Sequence, residues 1–204
     1  STYGVLPTAV DMTLAGYTFG GWYSDEGFTN PVAADTKMTT ASAHTLYAKW
    51  TANEIAVTFS ANLGEYTSDV HEVTFTSKAY TFDSAYGVLP EASRVGYTFK
   101  GWYTNEECTG DEVTTATVVK NPEAHTLHAK WEANRYTITL KHENNTADTT
   151  ISVVYRDTFY NAENETITSV AVPVKTGYTF NGYTTVSNDA TTAITNNAGV
   201  ITAG

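Results

Sequence analysis

Residues 16–23 read GYTFGGWY, residues 96–103 read GYTFKGWY, and residues 177–183 read GYTFNGY. Counted from Tyr17 to Tyr97 to Tyr178, the string recurs after 80 and then 81 residues. Two further landmarks keep the same order. AHTLYAKW ends at Trp50 and AHTLHAKW ends at Trp131, while YGVLP begins at Tyr3 and again at Tyr86. Self-similarity at a fixed period marks a tandem array in which each copy is one supersecondary unit. The chain therefore divides into three parts. Residues 1–51 form a partial copy without an opening hairpin, 52–132 a complete copy, and 133–204 a copy without its closing AKW-type strand. Such a chain is expected to be an excerpt of a longer array, so the lack of a signal peptide at its start carries no information.

The complete copy sets the strand pattern. Ile55, Val57 and Phe59 alternate with Ala56 and Thr58 over residues 54–60, and Tyr136, Ile138 and Leu140 repeat the pattern in the third copy. Period-two alternation predicts a strand with one buried and one wet face. Turn residues follow at 62–64 and 144–145, then a strand holding Val73 and Phe75, or Ile151, Val153 and Tyr155. The short loop predicts an antiparallel hairpin. Residues 84–94 form the one segment that suits a short helix, which Pro90 would limit to a turn or two. The signature strand comes next, with Tyr97 and Phe99 on one face and Gly101 as the expected bulge. A variable loop carrying Cys108 leads to residues 113–119. Residues 126–131 close the unit, with Leu127, Ala129 and Trp131 sharing a face.

Composition agrees with strands. The 204 residues include 14 Tyr, 8 Phe and 4 Trp but 2 Met, and 41% are hydrophobic, enough for packed cores. The net charge of −11 divides as −2, −7 and −2 over the three copies, and no Lys/Arg cluster breaks the acidic surface. That balance argues against nucleic acid and anionic membranes as partners. No run of 18 apolar residues exists to span a bilayer as a helix. A single cysteine, Cys108, excludes an intrachain disulfide framework.

The GYTFxGWY and HTLxAKW strings closely resemble the Listeria–Bacteroides repeat, or internalin B-repeat. The resemblance covers essentially the whole chain, with Tyr183 standing where the other copies have Trp22 and Trp102. It implies a mainly β, α+β fold: tandem small β-grasp-like repeats, each with a short crossover helix. It also implies a non-catalytic role as spacer stalk and adhesion module of a secreted or wall-attached protein at the extracellular bacterial surface. The expected partners are neighbouring repeats and a host protein, cell-surface protein or glycan. No cofactor is implied. The linkers at 51–53 and 132–134 are short, which predicts a semi-rigid rod.

Several residues could carry chemistry. Trp22, Tyr23, Trp102 and Tyr103 are the candidate ligand contacts, because exposed aromatic faces stack on sugars, although recurrence at fixed phase favours a core or seam. The same holds for Trp50 and Trp131. The variable loops at 24–35 and 104–111 are where binding specificity would lie. His125 and His128 stand three apart in a strand and point to opposite faces, so they are not expected to share a metal ion. Glu106, Glu107, Asp111 and Glu112 lack the spacing of a calcium loop. Cys108 occupies the place of Phe28, has no nearby base in sequence, and reads as a loop anchor.

Overall fold

The structure, a computed structural model, describes residues 1–185, 194–196 and 198–201. Among them every regular element is a strand. In the first copy these are β1 (Tyr17–Tyr23), β2 (Pro31–Val32) and β3 (Tyr47–Ala52). The second copy holds β4 (Glu54–Ser60), β5 (His71–Val73), β6 (Ser77–Thr81), β7 (Ala92–Arg94), β8 (Tyr97–Tyr103) and β9 (His125–Ala133). The third holds β10 (Arg135–Leu140), β11 (Thr149–Val154), β12 (Phe159–Tyr160) and β13 (Thr166–Ile167). The chain forms two compact units, residues 1–93 with 99–130, and residues 94–98 with 131–204.

The complete copy builds a six-stranded sheet in the order β5-β7-β8-β9-β4-β6. Its centre is the last strand made. β9 lies between the signature strand β8 and the opening strand β4, pairing parallel with β4 so that Leu127 stands opposite Phe59. Alternation then sorts the side chains: Leu127 and Ala129 are fully buried, and Ile55, Val57 and Phe59 join them beneath the sheet. Burying a side chain of this size contributes roughly 2 kcal/mol. The first copy shows the same signature and closing strands in a three-stranded sheet, β2-β1-β3. The register of β1 on β3 slips between Phe19 and Trp22, the bulge that the glycine pair predicts.

Two expectations need correction. The crossover helix at 84–94, and with it the α+β, β-grasp-like description, is replaced by turns and β7. A helix needs its amide donors to reach back four residues, whereas here Tyr86 and Gly87 donate to the carbonyls of Thr117 and Thr115. Gly87 takes a φ of 62° and Pro90 follows, so the backbone runs along residues 115–119 instead of coiling. The fold is all β among the described residues. The hairpin partner of β4 also differs: it is β6, residues 77–81, while the segment of Val73 joins β7 through β5. In the third copy β10 does pair antiparallel with β11, which carries Ile151 and Val153. Part of the Thr- and Asn-rich tail, residues 186–193, 197 and 202–204, lies outside the described residues.

Candidate functional site

The aromatic string of the signature strand turns mostly inward. Trp102 is 2% exposed and Tyr103 9%, whereas Trp22 and Tyr23 of the first copy are half-buried. The indole N–H of Trp22 donates to the Pro7 carbonyl at 2.7 Å, and that of Trp102 to the Pro90 carbonyl at 2.9 Å. The YGVLP landmark thus exists to cap the tryptophan: a buried indole donor left unpaired would be costly. Phe59 and Phe99 stand edge-on to Trp102 at 5.0 and 5.4 Å. The same landmark explains the histidine. The Tyr3 hydroxyl meets His44 Nε2 at 2.8 Å and that of Tyr86 meets His125 Nε2 at 2.7 Å, so this histidine is held within each copy. Burial pushes the Tyr80 hydroxyl up to about 12 and raises Tyr86 as well.

Cys108 is a buried anchor. Its Sγ accepts from the Asn62 amide at 3.3 Å and lies 3.5 Å from the Ala129 carbonyl, while Lys130 caps its own carbonyl at 3.2 Å. Burial raises the thiol's pKa, with Asn62 and Lys130 opposing, so the group stays protonated and a poor nucleophile. Phe28 and Cys108 share a left-handed backbone, φ of 54° and 49°. Each closes a turn tied by a preceding polar side chain, Asp25 to the Thr29 amide and Asn105 to the Thr109 amide. Among the described residues no three His, Cys, Asp or Glu side chains converge as a metal site, and Glu112 packs over Gly101.

One site recurs that the sequence reading did not reveal: the junction between copies. In the first unit, the Asn53 amide donates to the Gly16 carbonyl at 2.9 Å and the Phe82 amide to the Asn53 carbonyl at 2.8 Å. Thr18 completes it, its hydroxyl bonded to Asn53 Oδ1 at 2.6 Å. In the second unit, Asn134 bonds Gly96 at 2.9 Å, Tyr155 bonds Asn134 at 2.8 Å, and Thr98 bonds Asn134 Oδ1 at 2.6 Å. An aromatic ring then lies on the glycine. Phe82 packs on Gly16 and meets Tyr17 edge-on at 5.5 Å; Tyr155 packs on Gly96 and meets Tyr97 edge-on at 5.5 Å. A β-carbon on either glycine would stand 2.3 Å from the ring. The signals were present as the Ala-Asn pair in both linkers and the Gly-Tyr-Thr start of the signature. Their partners Phe82 and Tyr155 sit at unequal spacings, which hid the match.

The two junctions differ in charge. Asp83, following Phe82, accepts from the Tyr17 hydroxyl at 3.0 Å and from Lys120. The Lys120 bond, then the Tyr17 bond, hold its carboxyl below the usual range, and the Asp83 bond raises Tyr17. Arg156 follows Tyr155 at the equivalent place, and Arg94 stacks on the other face of Tyr97 at 4.0 Å.

Residues 2–49, 56–130 and 136–204 each match the Listeria-Bacteroides repeat domain. The chain belongs to that family. Its three tandem matches place the Listeria–Bacteroides repeat over almost the whole sequence. Two curated relatives come from Evansella cellulosilytica: one named "Putative membrane protein", 34% identical over 82% of this chain, and one named "Putative Gly-rich membrane protein", 37% identical over 61%. The chain spans 22% and 13% of their lengths. No solved structure matches. In the Listeria–Bacteroides repeat as seen here, the family's aromatic, glycine and linker positions divide between closing one copy and seating it on the next.

Proposed function

We propose that this chain is a non-catalytic spacer segment of a bacterial surface protein, in which junctions of fixed geometry hold successive repeats apart from the cell. The twice-built junction carries the reading: three hydrogen bonds and one ring-on-glycine contact recur with the same distances. Short linkers tied at both ends lose little further entropy and resist bending. The relatives' names fit a membrane-associated, outward-facing protein. Spin labels at Val10→Cys and Val70→Cys, in a Cys108→Ser background, test the geometry across the first junction. A single narrow distance distribution is expected; a broad one in the unaltered junction would remove the reading. Protease shaving of intact cells tests the location, with release of the repeats expected.

A second reading, contact with a glycan or host protein, rests on the first copy. Trp22 and Tyr23 keep part of their faces open, with Phe28 and Lys49 beside Tyr23, whereas Trp102 and Tyr103 are buried. Glycan-array binding that is lost in Tyr23→Ala with the fold retained supports it.

A further inference from the structure

We propose that the third copy is a strand acceptor, whose open slot takes an extended segment with the Leu-x-Ala-x-Trp alternation of residues 127–131. The complete copy shows what belongs there. In it β9 separates the signature strand from the opening strand. The third copy has the corresponding flanks, β10 and the Tyr178–Tyr183 stretch, but β10 is an edge strand, paired with β11 alone among the described residues. Between those flanks lies a cavity of about 700 Å³. One wall is residues 138–143 and the other residues 178–185, so the cavity occupies the place that β9 fills in the complete copy.

The lining has the chemistry of an unfilled strand slot. Leu140 is 2% exposed and belongs to the copy's own apolar cluster with Ile151 and Tyr183, against which Ile138 and Phe180 pack. The slot therefore has an apolar floor and a sheet edge along one wall. Tyr183 also lines it. That residue is 7% exposed, and its hydroxyl has no hydrogen-bond partner among the described residues. An edge strand beside an apolar slot is the arrangement for strand addition, where main-chain bonds supply affinity and alternate side chains supply specificity.

The register follows from the complete copy. There Val57 stands opposite His125 and Phe59 opposite Leu127 in a parallel pair. Ile138 and Leu140 hold the places of Val57 and Phe59, so the incoming strand runs parallel to β10 with its leucine opposite Leu140. Its alanine fits where Ala129 is fully buried, a position with no room for a larger side chain. Strand acceptance is separate from junction stiffness, and either can fail alone.

The test adds a synthetic peptide of residues 124–134 to the full 204-residue chain, followed by amide exchange. Saturable binding is expected, with protection rising at least tenfold in residues 135–140 and 178–183. Peptides carrying Leu127→Asp or Ala129→Glu should bind at least tenfold more weakly. Binding of a scrambled peptide with equal strength, or protection confined to β3, would overturn the proposal. So would self-association of the chain that excess peptide does not compete.

Discussion

The second and third copies start alike and finish differently. β4 and β10 both carry an apolar face onto a core and both find an antiparallel partner, β6 or β11. The second copy then places β9 in the middle of its sheet, whereas β10 remains at an edge. The buried centre of a copy is thus supplied by its last segment, not by its opening hairpin. That same segment runs straight into the linker. Leu127 and Ala129 fill the core, and Asn134, a few residues later, ties the linker to Gly96. Closing one copy and seating the next are consecutive acts of one stretch of chain.

The largest effect should come from turning the second copy into an open one. Leu127→Asp places an unpaired charge at a position with no exposure. We expect about 4 kcal/mol of destabilisation of the first unit in denaturant unfolding. A loss under about 2 kcal/mol would mean that β9 is not the keystone of the copy.

A smaller and more diagnostic effect separates two equivalent glycines. Gly96 and Gly177 share a φ of 81°, so alanine is strained at both, by about 1 kcal/mol. At Gly96 the added methyl would also strike the Tyr155 ring, while nothing lies within 4 Å of Gly177. Overpacking adds about 2 kcal/mol more. Gly96→Ala should therefore cost about 3 kcal/mol and Gly177→Ala about 1 kcal/mol by thermal or chemical unfolding. Equal costs would show that the ring contact contributes nothing to the junction.

Strand positions were legible because alternation is local. Residues 54–60 form the strand that Ile55, Val57 and Phe59 mark, and the signature and closing strands follow their strings. The helix at 84–94 was misread because its backbone donors are taken by residues 115–119, a long-range choice that no local propensity records. The inward turn of Trp102 was foreshadowed by its recurrence, yet its cap depends on Pro90, whose part in YGVLP had no visible purpose in sequence. The junction was missed for the same reason. Asn53 and Asn134 look like spacer residues until Gly16 and Gly96 are folded against them.

The smallest effect distinguishes the junctions by pH. Asp83 has a lowered pKa in the fold, so its contribution is present above the unfolded carboxylate value and fades as pH falls through the folded one. Tyr17 is raised by its bond to Asp83, so its contribution is complete below the ordinary tyrosine range and is lost as pH climbs past the folded value. The Gly16–Phe82 junction should therefore be tightest between about pH 4 and pH 10. The Gly96–Tyr155 junction, with Arg156 in place of Asp83, lacks this pair of bonds. Both groups are exposed, so salt should weaken the effect. Nuclear magnetic resonance can follow the Asp83 carboxyl together with ring contacts between Tyr17 and Phe82. Titration of Asp83 at an ordinary carboxylate value, or equal loosening of both junctions in acid, would show that the carboxylate is a bystander. Retention of the depressed value in Tyr17→Phe would assign it to Lys120 alone, because the hydroxyl is then absent while the ring still covers Phe82.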